Sequence, residues 1–160
     1  MGQLIDLLRE ECIVPGSEFV TKQEVLEAIA KIAKKSPILK NISEKEIYSA
    51  LEEREAIGST GFEAGIALPH CRLEKVTDFV VGIIAIPKGV DFCSIDGEDT
   101  TLVFFIIGPT SEVHEHIKLL STISRVCRLP KAIDEMLSAG TPEAIKERFS
   151  SHLTKKKETK

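Results

Sequence analysis

FVVGIIAIP, residues 79–87, is apolar from end to end, rich in β-branched side chains and closed by a proline. A second run of the same texture, TLVFFIIG, follows at 101–108. Neither alternates polar with apolar residues, so each reads as a strand covered on both faces. Between them, Pro87-Lys88-Gly89 and Asp96-Gly97 read as turns. A sheet without a wet face needs a layer on either side, and the flanking sequence supplies helices in both directions.

Upstream, Thr21 with Glu24 and Ser43 with Glu46 have the spacing of capping boxes. Behind the first, Val25, Ala28, Ile29 and Ile32 recur at helical spacing, and that helix should stop near Ser36-Pro37. Behind the second, Ile47, Ala50 and Leu51 form the stripe of a helix ending around Ile57-Gly58. Residues 3–8 suggest a short helix, and CIVPGSEFV (12–20) a strand broken at Pro15-Gly16. GSTGFEAG (58–65) is a glycine-rich loop. Downstream, helical periodicity returns from Ser111 to Cys127, Pro130 begins another helix, and Pro142 takes the first position of the last. The expected architecture is a single α/β domain over residues 1–153, a central mixed sheet with helices on both faces. A disordered basic tail, 154–160, follows it.

At 160 residues the chain can bury roughly 70% of its unfolded surface without disulfides. Its net charge of −4, from 21 basic and 25 acidic residues, argues against nucleic acid as a partner. Cys12, Cys71, Cys93 and Cys127 are widely spaced and form no C-x-x-C pair, which suits reduced thiols in the cytoplasm. The opening MGQLIDLLREECIV has no signal-peptide layout, and Ile5-Asp6 does not complete a myristoylation signal. No apolar run reaches about 18 residues, so no membrane insertion is expected.

Three residues stand out as candidates for chemistry. His70 follows a proline at the end of the apolar run in GIALPHCRLEK (65–75), where an imidazole would be held at a strand end. A neutral ring nitrogen can attack phosphorus or an acyl carbon, or bind a metal. The glycines at 58, 61 and 65 would let backbone approach a ligand there. His116 falls on the inward stripe Val113, His116, Leu120, Ile123, Cys127, near a helix start; His114 points elsewhere. Arg54 continues the stripe of Ile47, Ala50 and Leu51 and emerges facing the glycine loop, whereas Glu52, Glu53 and Glu55 read as a solvated face. A nucleophilic imidazole, a guanidinium and a second ring suit a tetrahedral dianion such as a phosphoryl group. No Walker lysine motif or kinase glycine loop is present, so the donor should be a phosphoprotein rather than ATP.

EREAIGSTGFEAGIALPHCRLEKV, followed by HIKLLSTIS, resembles the IIA domains of the mannitol/fructose class of the phosphoenolpyruvate:sugar phosphotransferase system, including its nitrogen-regulatory branch. The resemblance implies a three-layer α/β/α fold and a histidine phosphocarrier with no cofactor and no metal. It implies His70 as the phosphoryl acceptor on Nε2, Arg54 as phosphate support and His116 as a donor beside the phosphate. It implies an HPr-like phosphocarrier as donor partner. The recipient would be the cysteine of a IIB domain or, in the regulatory branch, a target protein controlled by the phosphorylation state. Two positions depart from the family pattern. Cys71 replaces a glycine, a strained choice if that position needs φ > 0. Glu63 brings negative charge into the loop that leads to the expected phosphate site. A metal-binding alternative would use His70, His114, His116 and the cysteines, although the two helical histidines diverge.

Overall fold

A computed structural model of the chain describes residues 4–154. The order is α1 (Leu4–Leu7), β1 (Leu8–Val14), α2 (Lys22–Ala33), a 3₁₀ turn (Pro37–Leu39), α3 (Glu44–Ile57), β2 (Ile66–Ala67), β3 (His70–Leu73), β4 (Val80–Val90), β5 (Thr100–Pro109), α4 (Val113–Cys127), α5 (Ala132–Ser138) and α6 (Pro142–Thr154). The sheet is mixed. β4 and β5 are antiparallel, β1 lies parallel to β4, and β2 and β3 both run parallel to β5 along its outer side.

Alternation along the two central strands builds two cores. Val103, Phe105 and Ile107 of β5 face α2 and α3, while Leu102, Phe104 and Ile106 face α1, α4, α5 and α6. β4 divides in the same way, Ile84 and Ile86 against Ile83 and Ala85. This is the expected sheet between helical layers. The Thr21–Glu24 capping box is complete in both directions, and Ser43 caps α3 by accepting from the Glu46 amide.

Several boundaries differ from the sequence expectation, each for a physical reason. β1 begins at Leu8, inside the stretch expected to be helical. Leu8 pairs with Val81 and Ile13 with Ile83, so the charged Arg9, Glu10 and Glu11 bulge out between them. Pro87 does not end β4. A second bulge, with Gly89 at φ +83°, carries the strand through to Val90. The inward face of α4 is His116, Leu119, Ile123, Val126 and Cys127; Val113 is exposed. His152 is buried in α6, where its Nε2 meets Glu135 Oε1 of α5 at 2.7 Å. Thr154 closes that helix rather than opening the tail, and residues 155–160 lie outside those described.

Candidate functional site

His70 is the first residue of β3, not the last of a longer strand. Leu68-Pro69 interrupts the edge, because a proline cannot donate to the ladder. The chain then rejoins β5 with His70 opposite Ile106. Alternation turns Cys71 and Leu73 into the core beneath α2 and α3. His70 and Arg72 therefore take the opposite face, towards α4. Cys71 is absent from the residues with positive φ, so a side chain costs nothing there. Its thiol is buried, and burial pushes its pKa up to about 12. The oxidation-prone neighbour that this cysteine could have been is an inert core filler.

The His70 ring is held at both nitrogens. Nδ1 lies 2.7 Å from the Leu68 carbonyl oxygen. A carbonyl only accepts, so Nδ1 carries the proton and Nε2 keeps its lone pair. Arg54 Nε donates to that lone pair at 3.2 Å, and Arg54 Nη1 donates to the Gly58 carbonyl at 2.7 Å. The guanidinium comes from α3, in the other helical layer, and reaches His70 around the edge strand. Burial lowers the His70 pKa; the Leu68 hydrogen bond opposes this, and the Arg54 charge adds to it. The ring is accordingly neutral at pH 7.

His116 stands in the first turns of α4, with its ring centroid 5.2 Å from that of His70 and 5.8 Å from that of Phe79. A Cβ at Gly108 would sit 2.3 Å from the Phe79 ring, so that glycine makes the seat for Phe79 and, behind it, for His116. His116 is only 4% exposed, yet neither ring nitrogen has a hydrogen-bond partner. An unmet buried polar group costs about 1–3 kcal/mol. Burial, then the neighbouring His70 and Arg72, lower its pKa to about 4. The structure thus brings the three sequence candidates together at one edge of the sheet. It adds Arg72, which lines the same cleft as Arg54, Ile57 and His70. Its signal in the sequence was the two-residue step from His70 on a strand.

The glycine loop does something other than expected. A Cβ at Gly61 would come within 2.5 Å of Ser94 Oγ and 2.9 Å of the Phe92 carbonyl, and Gly65 has φ +83° against Thr101. These two glycines let the loop pack on the β4–β5 hairpin, away from His70. Loop amides are also spent internally: Thr60 on Glu55, Gly61 on Ser59, Phe62 on Ile66, Ala64 on Asp96. Glu63 pairs with Arg128 at 3.0 Å, just past the C-terminal end of α4. Arg128 lies twelve residues beyond His116, about 18 Å along the helix axis. The Glu63 charge is therefore neutralised far from the two rings.

Glu55, assigned by sequence to a solvated face, is 7% exposed at its side chain. It accepts from the Thr60 amide, the Thr60 hydroxyl and Lys22 Nζ. Partners on α2 and in the loop are tertiary, so a charge run on a helix could not announce them. Among the described residues no group of three or more His, Cys, Asp or Glu is placed to hold a metal ion. Nor is any helix among them long and apolar enough to cross a membrane.

Residues 6–152 match the family described as phosphoenolpyruvate-dependent sugar phosphotransferase system, EIIA 2. A nitrogen regulatory protein of Pseudomonas aeruginosa is 33% identical over 141 residues, covering 85% of this chain and 90% of that protein. The crystal structure of nitrogen regulatory protein IIA-Ntr from Neisseria meningitidis superposes with a TM-score of 0.84 at 23% identity, over 91% of this chain and 98% of that one. The complex of enzyme IIAMTL and phosphorylated enzyme IIBMTL from Escherichia coli contains a chain similar at a TM-score of 0.75 and 21% identity, covering 91% and 99%.

Proposed function

Since the chain belongs to the EIIA 2 family of the phosphoenolpyruvate-dependent sugar phosphotransferase system, we propose that it is a histidine phosphocarrier, with His70 Nε2 as the atom that takes the phosphoryl group. The observation that carries this reading is the pair of contacts on the His70 ring. Nδ1–H is pinned to the Leu68 carbonyl, and the Nε2 lone pair is turned to a guanidinium.

The donor is a phosphohistidine on an HPr-like protein. The Nε2 lone pair forms a bond to phosphorus as the donor's P–N bond breaks, and the donor imidazole leaves with that electron pair. The His70 ring gains positive charge and keeps its Nδ1 proton, so the Leu68 carbonyl stabilises the charge where it develops. Arg54 releases Nε2 and turns its fork to the phosphoryl oxygens, a bidentate match of plane to anion. His116, neutral and without a partner, donates its one N–H to a third oxygen. Little more than positioning and charge neutralisation is asked of the protein.

The site is open enough for a protein to deliver and collect the group. Ile57 is 84% exposed beside the cleft, and Val113 and Ile117 stand exposed on the turns of α4 that carry His116. Uncovered apolar side chains around a reactive group fit a transient protein interface. The similarity to nitrogen regulatory proteins favours a carrier whose phosphorylation state controls a target protein. Delivery to a IIB cysteine is the second reading, favoured by the fold shared with a IIA chain seen in complex with phosphorylated IIB.

Incubation with phosphoenolpyruvate, enzyme I and HPr, followed by mass mapping, tests the assignment. One acid-labile phosphoryl group on His70 is expected. Its persistence in His70→Ala overturns the reading. His116→Ala should accept the group and transfer it slowly; an unaltered transfer rate removes His116 from the site.

A further inference from the structure

The contacts around His70 form a closed circuit, and its far side is an acid whose side chain is 7% exposed. Glu55 Oε1 accepts the Thr60 hydroxyl at 2.6 Å, and Oε2 accepts the Thr60 amide at 2.9 Å and Lys22 Nζ at 2.8 Å. The carbonyl of the same Thr60 accepts the Leu68 amide at 2.9 Å. The Leu68 carbonyl is the group that fixes the Nδ1–H of His70. On the other arm, Gly58, two residues before Thr60, gives its carbonyl to Arg54, which meets His70 Nε2. Both controls on the histidine therefore run through residues 58–60: Gly58 is the C-cap of α3 and is held by Arg54, and Thr60 is held back to α3 by two hydrogen bonds to Glu55.

We propose that Glu55, braced by Lys22, is a positioning residue for His70: by clamping Thr60 it fixes the Leu68 carbonyl that selects the Nε2-reactive tautomer and the Gly58 carbonyl that aims Arg54. The inference rests on the phosphocarrier reading for its consequence, since only there does the tautomer set the rate.

The site has the marks of a clamp rather than a chance ion pair. A carboxylate side chain only 7% exposed has three donors on it, one of them a backbone amide. Lys22, in the first turn of α2, stands over the Phe92 ring at 5.3 Å to its centroid, which holds the ammonium in place. Glu55 itself touches neither histidine. Apart from its charge, which favours the His70 cation, it acts through Thr60 and the Leu68 carbonyl between β2 and β3.

The test separates the clamp from the carrier reading. Long-range ¹H–¹⁵N spectra of the imidazole report the His70 tautomer with no phosphoryl donor present. In the wild type the Nδ1–H form dominates. In Glu55→Ala the two tautomers become mixed, and kcat/KM for phosphorylation by phospho-HPr falls about tenfold to a hundredfold, the loss typical of a slightly misplaced reacting group. Glu55→Gln keeps an acceptor for Thr60 and restores most of the wild-type tautomer. Thr60→Val, which removes only the hydroxyl, shifts the tautomer in the same direction by less, and carries the test if Glu55→Ala does not fold. A folded Glu55→Ala, or failing that a folded Thr60→Val, with the wild-type tautomer and rate overturns the proposal. If the wild-type chain accepts no phosphoryl group, the carrier reading falls while the ring spectra still decide on Glu55.

Discussion

His70 and His116 are neighbours with different histories. Each is neutral at pH 7, but one has both nitrogens engaged and the other has neither. For His70 the consequence is kinetic. Its pKa lies below the ordinary 6.5 because burial disfavours the cation. The acid midpoint of phosphoryl acceptance should therefore lie below about pH 6.5, where a free histidine is half protonated. A pH–rate profile with its acid midpoint at or above 6.5 would contradict this. For His116 the consequence is stability. The unfolded ring takes a proton near pH 6.5, and the folded ring refuses it until about pH 4. The unfolded state thus binds more protons across that window, and stability falls as pH falls through it. The full effect, reached below about pH 4, is about 3 kcal/mol. Urea unfolding at steps between about pH 7 and 4 measures it as a slope, which should flatten in His116→Phe. A phosphoryl dianion on His70 should raise the His116 pKa, because an opposite charge favours the imidazolium.

At the scale of elements, the legible parts were those whose signal is local. Thr21 and Ser43 announce their helices because a cap is a contact between residues close in sequence. β4 and β5 were legible because central strands have no wet side to confuse the pattern. β2 and β3 are too short to show a period, and their partner β5 comes some thirty residues later in the chain. β1 misled because its charged residues bulge away from the pairing. His70, Arg54 and His116 were legible through position on their stripes and through the resemblance. Glu55 was not, because its partners Lys22 and Thr60 meet it only in the folded chain. Gly108 was silent for the same reason, since the need for a missing Cβ lies in Phe79. Gly108→Ala should destabilise by about 1–3 kcal/mol, the usual cost of overfilling a packed site, and loosen His116 with it. Denaturant unfolding measures the first, and broadening of the His116 ring signals the second.

For the whole molecule, the sheet divides two apolar cores that do not mix. The His70 cleft sits where the sheet ends, so it can be reached without either core opening. Ile57 offers a clean probe of that surface, because it is 84% exposed and no core residue depends on it. Ile57→Glu should leave the melting temperature unchanged and raise the KM for the phosphorylated donor by about fivefold or more, as expected for a desolvated apolar contact replaced by a charge. A KM equal to wild type would place the donor's footprint elsewhere.

The reach of Arg54 around the edge strand has one more consequence. Its helix belongs to one layer and His116 to the other, and His70 is where the two meet. On the proposed reading, a phosphoryl group on His70 would be gripped from both sides, a removable rivet between halves that the sheet otherwise screens from each other. Phosphorylation at His70 would then couple the two faces, and a protein touching only one of them would have a means to sense it.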